Sequence, residues 1–327
     1  MTGSARALTP RDRFIMALEG KQPPGLVPTF ELVFFLTMEL LGKVHPRHRL
    51  LDQWDQMSAA EKQRQIADAG DVYIAAARHY GHSAIFIHFL RGIQDAERLI
   101  AEYIREATGD EFFLLRHGDA TLGIPDGDTM MEFCYRLADE PEKVKAERAQ
   151  AVDEKLVAAE ERAGEGLFDG FALCTDYCFN SGPFLSPTQF SEYVTPYLAR
   201  LIKGYRDLGF YVIKHTDGNV MPIIGQLVEC CPHALHSLDP QAGVDIAEVK
   251  RKYGHEICLI GNVNCGLLQT GTEEEVIESA RYALRYGMPG GGYIFSTSNC
   301  VYPGMPLERY ELMVDVWRRE GVYPEGR

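Results

Sequence analysis

Four residues in the second half of the chain carry side chains that bind transition metals. They are His215, Asp217, Asp239 and Cys300. His215 directly follows the apolar run Phe210 to Lys214, and Asp239 directly follows the run Ala234 to Leu238. An imidazole, a thiolate and one or two carboxylates form a ligand set that suits zinc and leaves one coordination position open for chemistry. The pattern therefore predicts a catalytic metal site, provided that the ends of these runs meet at one end of a barrel.

The spacing within this set strengthens some members and weakens others. His215 and Asp217 are two residues apart, so on a strand both side chains point to the same face. An alternative is that the aspartate only orients a core histidine. Cys300 lies in a polar loop, which favours a functional thiol over a packing residue. Asp239 can either bind the metal or cap the turn that follows it.

Two further acidic residues are candidates for catalysis. Asp176 follows the end of a strand-like run, and Glu31 lies inside an apolar one. A buried carboxylate costs several kcal/mol unless it is paired, so Glu31 is either a site residue or the partner of a buried cation. Together with Asp217 these residues could supply acid–base groups, and either Glu31 or Asp217 could complete the metal shell.

Aromatic and amide side chains near the same strand ends could bind a substrate. We expect this role for Phe30, Phe34, Tyr177, Asn180 and Asn219. The alternative is that the aromatic rings belong to the core.

Eight short apolar runs alternate with helical segments, which is typical of a parallel sheet. The runs are Val27 to Phe35, Ala84 to Phe89, Glu111 to Leu115, Gly170 to Cys174, Phe210 to Lys214, Ala234 to Leu238, Glu256 to Ile260 and Gly292 to Phe295. Eight parallel strands predict a closed (β/α)8 TIM barrel of the α/β class. We expect one domain over residues 1–327, with residues 1–26 as an N-terminal helical extension that begins at the cap Thr9-Pro10.

Composition excludes several other classes of protein. A net charge of −14 argues against a nucleic-acid partner. No apolar stretch is long enough to span a membrane, and Met1 to Arg6 lacks the apolar core of a secretory signal. The eight cysteines are dispersed, as in a reduced protein, so we expect a cytoplasmic location.

Several segments of the C-terminal half resemble a known superfamily. They are Asp176 to Pro187 (DYCFNSGPFLSP), Lys214 to Val220 (KHTDGNV), Ser237 to Asp245 (SLDPQAGVD) and Leu259 to Asn264 (LIGNVN). These segments resemble the uroporphyrinogen decarboxylase superfamily, specifically its cobalamin-linked methyltransferases. That resemblance implies a (β/α)8 barrel. It also implies zinc held by His215, Asp217, Asp239 and Cys300, with Asp217 in place of the usual cysteine.

The resemblance implies a corrinoid-dependent reaction of the O-demethylase type. In such systems a methyl group moves from a methoxylated, often aromatic, donor to the cob(I)amide of a separate corrinoid protein. With one thiolate fewer, the metal is harder, which favours an oxygen-bound methyl donor over a thiol. Decarboxylation of a porphyrinogen is disfavoured, because the arginine-rich motif that grips its carboxylates is replaced by the acidic, apolar segment Phe30 to Phe34.

Three alternatives stay open at this stage. One is a methyltransferase of the same fold that passes a methyl group from a methylcorrinoid to a thiol. Another is a metal-free decarboxylase that uses Asp176 and Asp217. The third is a protein that binds a corrinoid without turnover. The sequence leaves the methyl donor, the direction of transfer and the oligomeric state undetermined, and a homodimer is one option.

Overall fold

Buried apolar runs and amphipathic helices alternate along the chain and build a parallel sheet. The computed structural model describes residues 7–93 and 95–324. Its strands are β1 (Ala84–Phe86), β2 (Phe113–His117), β3 (Gly170–Leu173), β4 (Cys178–Phe179), β5 (Gly182–Pro183), β6 (Tyr211–Thr216), β7 (Ala234–Ser237), β8 (Cys258–Ile260) and β9 (Tyr293–Ile294). Seven strands form one parallel sheet in the order β1-β2-β3-β6-β7-β8-β9, while β4 and β5 form a short antiparallel hairpin.

One face of every strand in the sheet packs into the same apolar cluster, so the sheet is curled around that cluster. That cluster includes Phe86, Leu115, Ala172, Ile213, Ala234, Ile260 and Ile294, one residue from each strand of the sheet. Residues that alternate with these, such as Ile85 and Leu114, pack into a second cluster on the opposite face. This period of two is what a strand buried on both faces requires. The prediction of a parallel α/β sheet is therefore confirmed.

The first predicted strand, Val27 to Phe35, forms single backbone bridges instead of a continuous strand. Thr29 pairs with Phe295 and Phe34 pairs with Val301, both in parallel. The amide of Phe295 donates to the carbonyl of Pro28 (2.8 Å), and the amide of Ser83 donates to the carbonyl of Thr29 (2.7 Å). The segment around Thr29 thus hydrogen-bonds to residues at both edges of the sheet.

The helices lie largely where their caps and periodicity predict them. They are α1 (Pro10–Leu18), α2 (Thr37–Leu41), α3 (Ala59–Tyr80), α4 (Ala96–Thr108), α5 (Met130–Asp139), α6 (Pro141–Ala163), α7 (Pro187–Tyr193), α8 (Thr195–Asp207), α9 (Ile224–Glu229), α10 (Ile246–Tyr253), α11 (Cys265–Thr270), α12 (Glu273–Gly287) and α13 (Leu307–Glu320). The segment 187–207 forms two helices that are interrupted at Val194, because Pro196 lacks the N–H that a continuous helix would use.

Helix α1 belongs to the predicted N-terminal extension, of which residues 1–6 lie outside the described part of the chain. It begins at a capping box in which the Thr9 hydroxyl accepts from the Asp12 amide (3.1 Å). Its Phe14 side chain is fully buried, and the centre of its ring lies 5.5 Å from the ring centre of Phe30 and 4.9 Å from that of Phe113. The helix therefore buries an aromatic side chain in the cluster enclosed by the sheet.

Within the described residues, we find no helix of the length and apolarity that a membrane crossing requires.

Asp169, just before β3, holds several elements together through ion pairs with two arginines. Its carboxylate accepts from Arg11 of α1 (2.6 Å) and Arg105 of α4 (2.7 Å), and from the Leu114 amide of β2 (2.8 Å). Its side chain is only 8% exposed. Each carboxylate oxygen of Asp169 accepts a hydrogen bond from a charged arginine. These interactions compensate for the free energy that it costs to remove the carboxylate from water.

Replacing Asp169 by alanine should lower the free energy of unfolding by roughly 3 kcal/mol, because two partly buried guanidinium groups lose their counter-charge. Urea unfolding monitored by circular dichroism measures the change. Asp153→Ala is the matched control, since Asp153 pairs with Arg200 but is 66% exposed, so its loss should cost under about 1 kcal/mol. Equal effects of the two substitutions would contradict this role of Asp169.

Candidate metal and active site

Three of the predicted site residues lie at the carboxyl ends of two neighbouring strands. Asp176 follows β3, His215 lies in β6, and Asp217 follows β6 directly. Strand β6 pairs with β3 on one side and with β7 on the other, so that His215 lies beside His236. Parallel neighbours bring their carboxyl ends to one edge, which is why these distant residues meet.

Three potential ligand atoms converge there. Asp176, His215 and Asp217 each offer an atom, and these atoms lie within 4.8 Å of one another. The His215 Nε2 to Asp217 Oδ1 distance is 3.7 Å, and the Asp217 amide donates to Asp176 Oδ1 (3.0 Å). Over residues 7–93 and 95–324, neither carboxylate has a Lys or Arg nitrogen within 4.0 Å. The cluster therefore concentrates negative charge without a cationic side chain to balance it.

His215 is held in place by a second histidine. Its Nδ1 lies 2.7 Å from Nδ1 of His236, and the Nε2 of His236 lies 3.4 Å from the Ser296 hydroxyl. Burial, and then the neighbouring His215, lowers the pKa of His236 well below its usual value, so this imidazole is neutral. With Nδ1 committed to His236, His215 turns Nε2 toward the carboxylates, as a metal-binding histidine does.

Glu31 ends this chain of hydrogen bonds inside the sheet. It receives hydrogen bonds from the Ser296 hydroxyl (3.1 Å) and from the Thr297 amide (3.2 Å). Burial raises the pKa of Glu31 to about 8, despite these donors. The Thr297 hydroxyl lies 2.7 Å from the Asn299 carbonyl, which can only accept its single hydrogen, and 2.5 Å from Glu31 Oε2. A protonated Glu31 accommodates both contacts, because it can donate to the Thr297 hydroxyl while that hydroxyl donates to the Asn299 carbonyl.

Asp217 is fixed by donors on two other strand ends. The Ser237 hydroxyl donates to Oδ1 (2.9 Å), and the Asn299 amide group donates to Oδ2 (2.6 Å). Burial nevertheless raises the pKa of Asp217. Ser237 and Leu238 have φ angles of 87° and 51°, which cost of order 1–3 kcal/mol each for such residues. This strain occurs where Ser237 reaches Asp217, as is common at functional sites.

The other two predicted ligands lie outside this cluster. Asp239 caps the turn at Pro240–Ala242, where its Oδ1 accepts from the Gln241 amide (3.0 Å). Burial raises the pKa of the Cys300 thiol to about 12, and the charges of Asp217 and Asp176 raise it further in the same direction. Cys300 is thus within electrostatic reach of the cluster. Among the described residues, however, no set of three ligand atoms within 4.8 Å includes either residue.

A buried ion pair, which the sequence pattern did not reveal, fixes the backbone next to the site. Lys214 is fully buried, and its ammonium donates to Asp119 (2.9 Å), to the Thr175 carbonyl (2.8 Å) and to the Leu173 carbonyl (3.2 Å). Burial alone would raise the pKa of Asp119, but the Lys214 charge holds it well below its usual range. The lysine thereby fixes the backbone just before Asp176. A lysine inside the apolar run 210–214 was the signal for it.

The proposed substrate-binding residues have mixed surroundings. Phe30 and Phe34 are buried, and the buried Tyr177 ring lies 4.2 Å from the Lys214 ammonium. Asn180 is exposed in the turn between β4 and β5, and the Asn219 side chain accepts from the Met221 amide (3.1 Å). None of these positions excludes contact with a substrate, but the three aromatic rings also pack in the core.

A cavity of about 840 Å³ lies at the other end of the sheet. Its lining includes Phe210, Ile257 and Gly290, which precede β6, β8 and β9. Because it opens at the amino ends of the strands, it is separate from the carboxylate cluster.

The residues at the cluster fit a divalent cation. Two oxygens and one nitrogen are typical donors for zinc and neighbouring metals, and three protein ligands leave a position open. His236, Ser237 and Asn299 hold these donors through their other atoms, which is the arrangement that tunes a metal site. A cation would also balance the unpaired carboxylates.

Comparison with known proteins agrees with the sequence motifs. Residues 169–320 match the family model of uroporphyrinogen decarboxylase (URO-D). A uroporphyrinogen decarboxylase of Thioalkalivibrio sulfidiphilus is 24% identical over 148 residues, which cover 43% of this chain and 40% of that protein. Its counterpart from Photobacterium profundum is 23% identical over 141 residues, 41% of this chain and 38% of that protein. The match thus spans about two fifths of the length of these relatives.

Similarity in structure extends over nearly the whole chain. A methyltransferase from Methanosarcina mazei has a TM-score of 0.72 and 16% identity, covering 96% of this chain and 99% of that one. Residues 169–320 therefore resemble the uroporphyrinogen decarboxylase family in sequence. The predicted resemblance to this superfamily is confirmed, and the fold of the whole chain resembles that of a methyltransferase. At this identity, the likeness concerns the fold alone.

Metal analysis of purified variants tests the cluster. We expect near-stoichiometric divalent metal in the wild type, and a loss of at least about tenfold in affinity in His215→Ala and Asp217→Asn, which remove a ligand. Asp239→Asn serves as the control, because asparagine can keep the hydrogen bond to the Gln241 amide. Equal metal content in all four proteins would show that the cluster is not a metal site.

Glu31 should make stability depend on pH. Its pKa is raised from 4.5 to about 8, so the native state binds one proton more than the unfolded state within that window. The free energy of unfolding should therefore fall as pH rises through it, by up to about 1.4 kcal/mol per unit. Glu31→Gln should lack this component in urea unfolding between pH 5 and 8. The control Glu273→Gln, at an exposed position, should follow the wild-type slope. Parallel curves for wild type and Glu31→Gln would contradict the protonated state.

Proposed function

We propose that this protein is a metal-dependent methyltransferase that moves a methyl group from a methoxylated aromatic donor to the cob(I)amide of a corrinoid protein. The observation that carries the proposal is the convergence of Asp176, His215 and Asp217 within 4.8 Å at the carboxyl ends of the strands. The match of residues 169–320 to the uroporphyrinogen decarboxylase model and the likeness of the fold to that of a methyltransferase support it. Zinc is the metal we propose, because its usual ligands include both imidazole and carboxylate.

The reaction breaks the bond between the methyl carbon and the ether oxygen and forms a bond between that carbon and the cobalt of the acceptor. The oxygen keeps the electron pair and takes up a proton, so the products are a hydroxylated compound and a methylcorrinoid. When bound, zinc would supply Lewis acidity toward the ether oxygen. Transfer requires donor and acceptor to be aligned, which is the main contribution that the protein makes.

The side chains of the cluster have distinct tasks in this proposal. Asp176 and Asp217 supply negative charge, and His215 supplies a nitrogen whose direction His236 sets. Ser237 and Asn299 keep the Asp217 carboxylate in one orientation. We propose Cys300 as a further ligand, because its thiol responds electrostatically to both carboxylates. Asp239 then acts as a cap that shapes the loop after β7.

We further propose that residues 27–35 close the sheet into an eight-stranded barrel within a single domain. The hydrogen bonds of Pro28 and Thr29 to Phe295 and Ser83 support this closure. In a closed barrel, the loops after the strands surround one opening, from which an acceptor can approach.

A protein acceptor is supported by exposed apolar residues in segments that follow the carboxyl ends of strands. Met131 and Tyr135 lie in α5, after β2, and are 63% and 60% exposed, and Phe179 in the hairpin after β3 is 45% exposed. Exposed apolar patches mark surfaces that another protein can cover. We propose that the corrinoid protein docks there.

A decarboxylase is the second candidate, favoured by the names of the relatives that match residues 169–320. In that case the two carboxylates would act without a metal. Metal content separates the two functions, because a metal-free enzyme would keep its activity after treatment with a chelator.

Methyl transfer can be measured as the loss of cob(I)alamin absorbance in the presence of methoxyarenes. We expect transfer by the metal-loaded wild type, and a decrease of roughly 100-fold or more in His215→Ala and Asp217→Asn, since each removes part of the Lewis-acid site. Asp245→Asn, on the exposed cap of α10, should retain the wild-type rate.

Failure of the metal-loaded wild type across a broad panel of methoxylated donors would contradict the proposed donor class. Transfer from methylcobalamin to a thiol, without activity on methoxyarenes, would instead support the alternative thiol methyltransferase.

A further inference from the structure

Rings of histidine and phenylalanine gather beside the carboxyl ends of β1 and β2. His88 and Phe89 follow β1, and His117 is the last residue of β2. The His88 and His117 rings lie 5.4 Å apart, and the Phe35 ring lies 4.3 Å from that of His48 and 5.7 Å from that of His88. We call this group the ring cluster. It consists of Phe35, His45, His48, Phe86, His88, Phe89 and His117.

Arg47 places a positive charge on this cluster. Its guanidinium carbon lies 4.6 Å from the centre of the Phe89 ring. Its Nη1 is buried and has no hydrogen-bond partner, and within the described chain none of its side-chain nitrogens has a carboxylate within 4.0 Å. Arg49, two residues later, pairs with Asp68 (2.7 Å) and donates to the Val44 carbonyl (3.0 Å). A partly buried guanidinium without a partner is costly, so Arg47 is poised for a ligand.

The neighbouring imidazoles leave Arg47 as the source of positive charge. Burial lowers the pKa of His45 to about 3 and that of His117 to about 4, and lowers that of His88 well below its usual value. The charge of Arg47 acts in the same direction on all three. Near pH 7 these rings are neutral, so they can stack on or hydrogen-bond to an aromatic ligand while Arg47 binds its charge.

The ring cluster lies at the same end of the sheet as the cluster of Asp176, His215 and Asp217. His88 and His117 follow or end β1 and β2, and Asp176 and Asp217 follow β3 and β6, the next strands of the same parallel sheet. The Phe35 amide also donates to the carbonyl of Val301 (2.7 Å), the residue after Cys300. Both groups therefore belong to the edge formed by the carboxyl ends of the strands.

We propose that Arg47 binds a carboxylate on the methyl donor, so that the donors are methoxylated aromatic acids and not neutral methoxyarenes. This inference rests on the proposed methyl transfer. A planar guanidinium suits a carboxylate because it can donate two parallel hydrogen bonds. The neighbouring aromatic and imidazole rings suit the arene. Arg47 would then determine specificity, while the metal cluster acts on the methoxy group.

Binding and turnover should be measured separately with 3-methoxybenzoate and its neutral analogue 3-methoxybenzamide. Isothermal titration calorimetry should show that the wild type prefers the benzoate. Arg47→Gln should weaken benzoate binding roughly 10- to 100-fold and leave amide binding unchanged, because only the charged pair is lost. Arg47→Lys should give an intermediate loss, since it keeps the charge but not the two parallel donors. Arg49→Gln, at an arginine that is already paired, should bind both ligands as the wild type does.

Equal binding of benzoate by wild type and Arg47→Gln, or equal binding of the two ligands by the wild type, would overturn the role of Arg47. If the wild type demethylates neutral methoxyarenes as fast as the benzoate, this inference fails while the methyl transfer stands. If benzoate binding depends on Arg47 but no donor is demethylated, the anion site is supported and the proposed function fails. Should Arg47→Gln not fold, as judged by circular dichroism, Arg47→Lys and the comparison of ligands on the wild type decide the question.

Discussion

The two carboxylates of Asp176 and Asp217 meet one imidazole at the carboxyl ends of β3 and β6, with no lysine or arginine close enough among the described residues to balance them. Such a grouping is unfavourable on its own, because like charges repel and burial removes water from Asp217, whereas Asp176 is exposed. The raised pKa of Asp217 reflects that cost. Hydrogen bonds from Ser237 and Asn299 nevertheless keep Asp217 in this arrangement, and a cation is what we propose to complete it.

Much of the surrounding structure serves to hold that grouping. Lys214 donates hydrogen bonds to Asp119 and to the carbonyls before Asp176. Its positive charge is therefore paired with Asp119 and not with the carboxylates of the cluster. His236 fixes the ring of His215, and the chain from His236 through Ser296 ends at the protonated Glu31. Gly218 permits the close turn after Asp217, because a side-chain carbon there would lie 2.5 Å from the Cys178 carbonyl. Each of these contacts joins a different strand end, so the site depends on the whole sheet.

The parts of this structure that sequence could predict are those set by local pattern. Seven of the eight predicted apolar runs overlap the seven strands of the sheet. The first run, residues 27–35, was predicted as a strand, but the segment around Thr29 forms only isolated backbone bridges. Asp176, His215 and Asp217 could be named because each follows or ends a strand. Sequence could not predict that these three residues would converge without Asp239. The Asp239 side chain accepts a hydrogen bond from the Gln241 amide instead of joining the cluster, and residue spacing does not reveal this local hydrogen bond.

For Arg47 and Cys300, position in the sequence does not decide what the side chain does. A single arginine in a loop carries no pattern, and its lack of a partner is visible only when the surrounding rings are in place. For Cys300, position alone does not decide its chemistry. Burial and the nearby carboxylates hold its thiol protonated, with a pKa of about 12. A divalent cation beside those same carboxylates would reverse the sign of the local field and favour the thiolate. If the thiol joins the metal, binding must release its proton. In the proposed metal site, the metal and the thiol would therefore be linked through charge, because the acidic cluster that disfavours the thiolate in the free protein would also bind the cation that stabilises it.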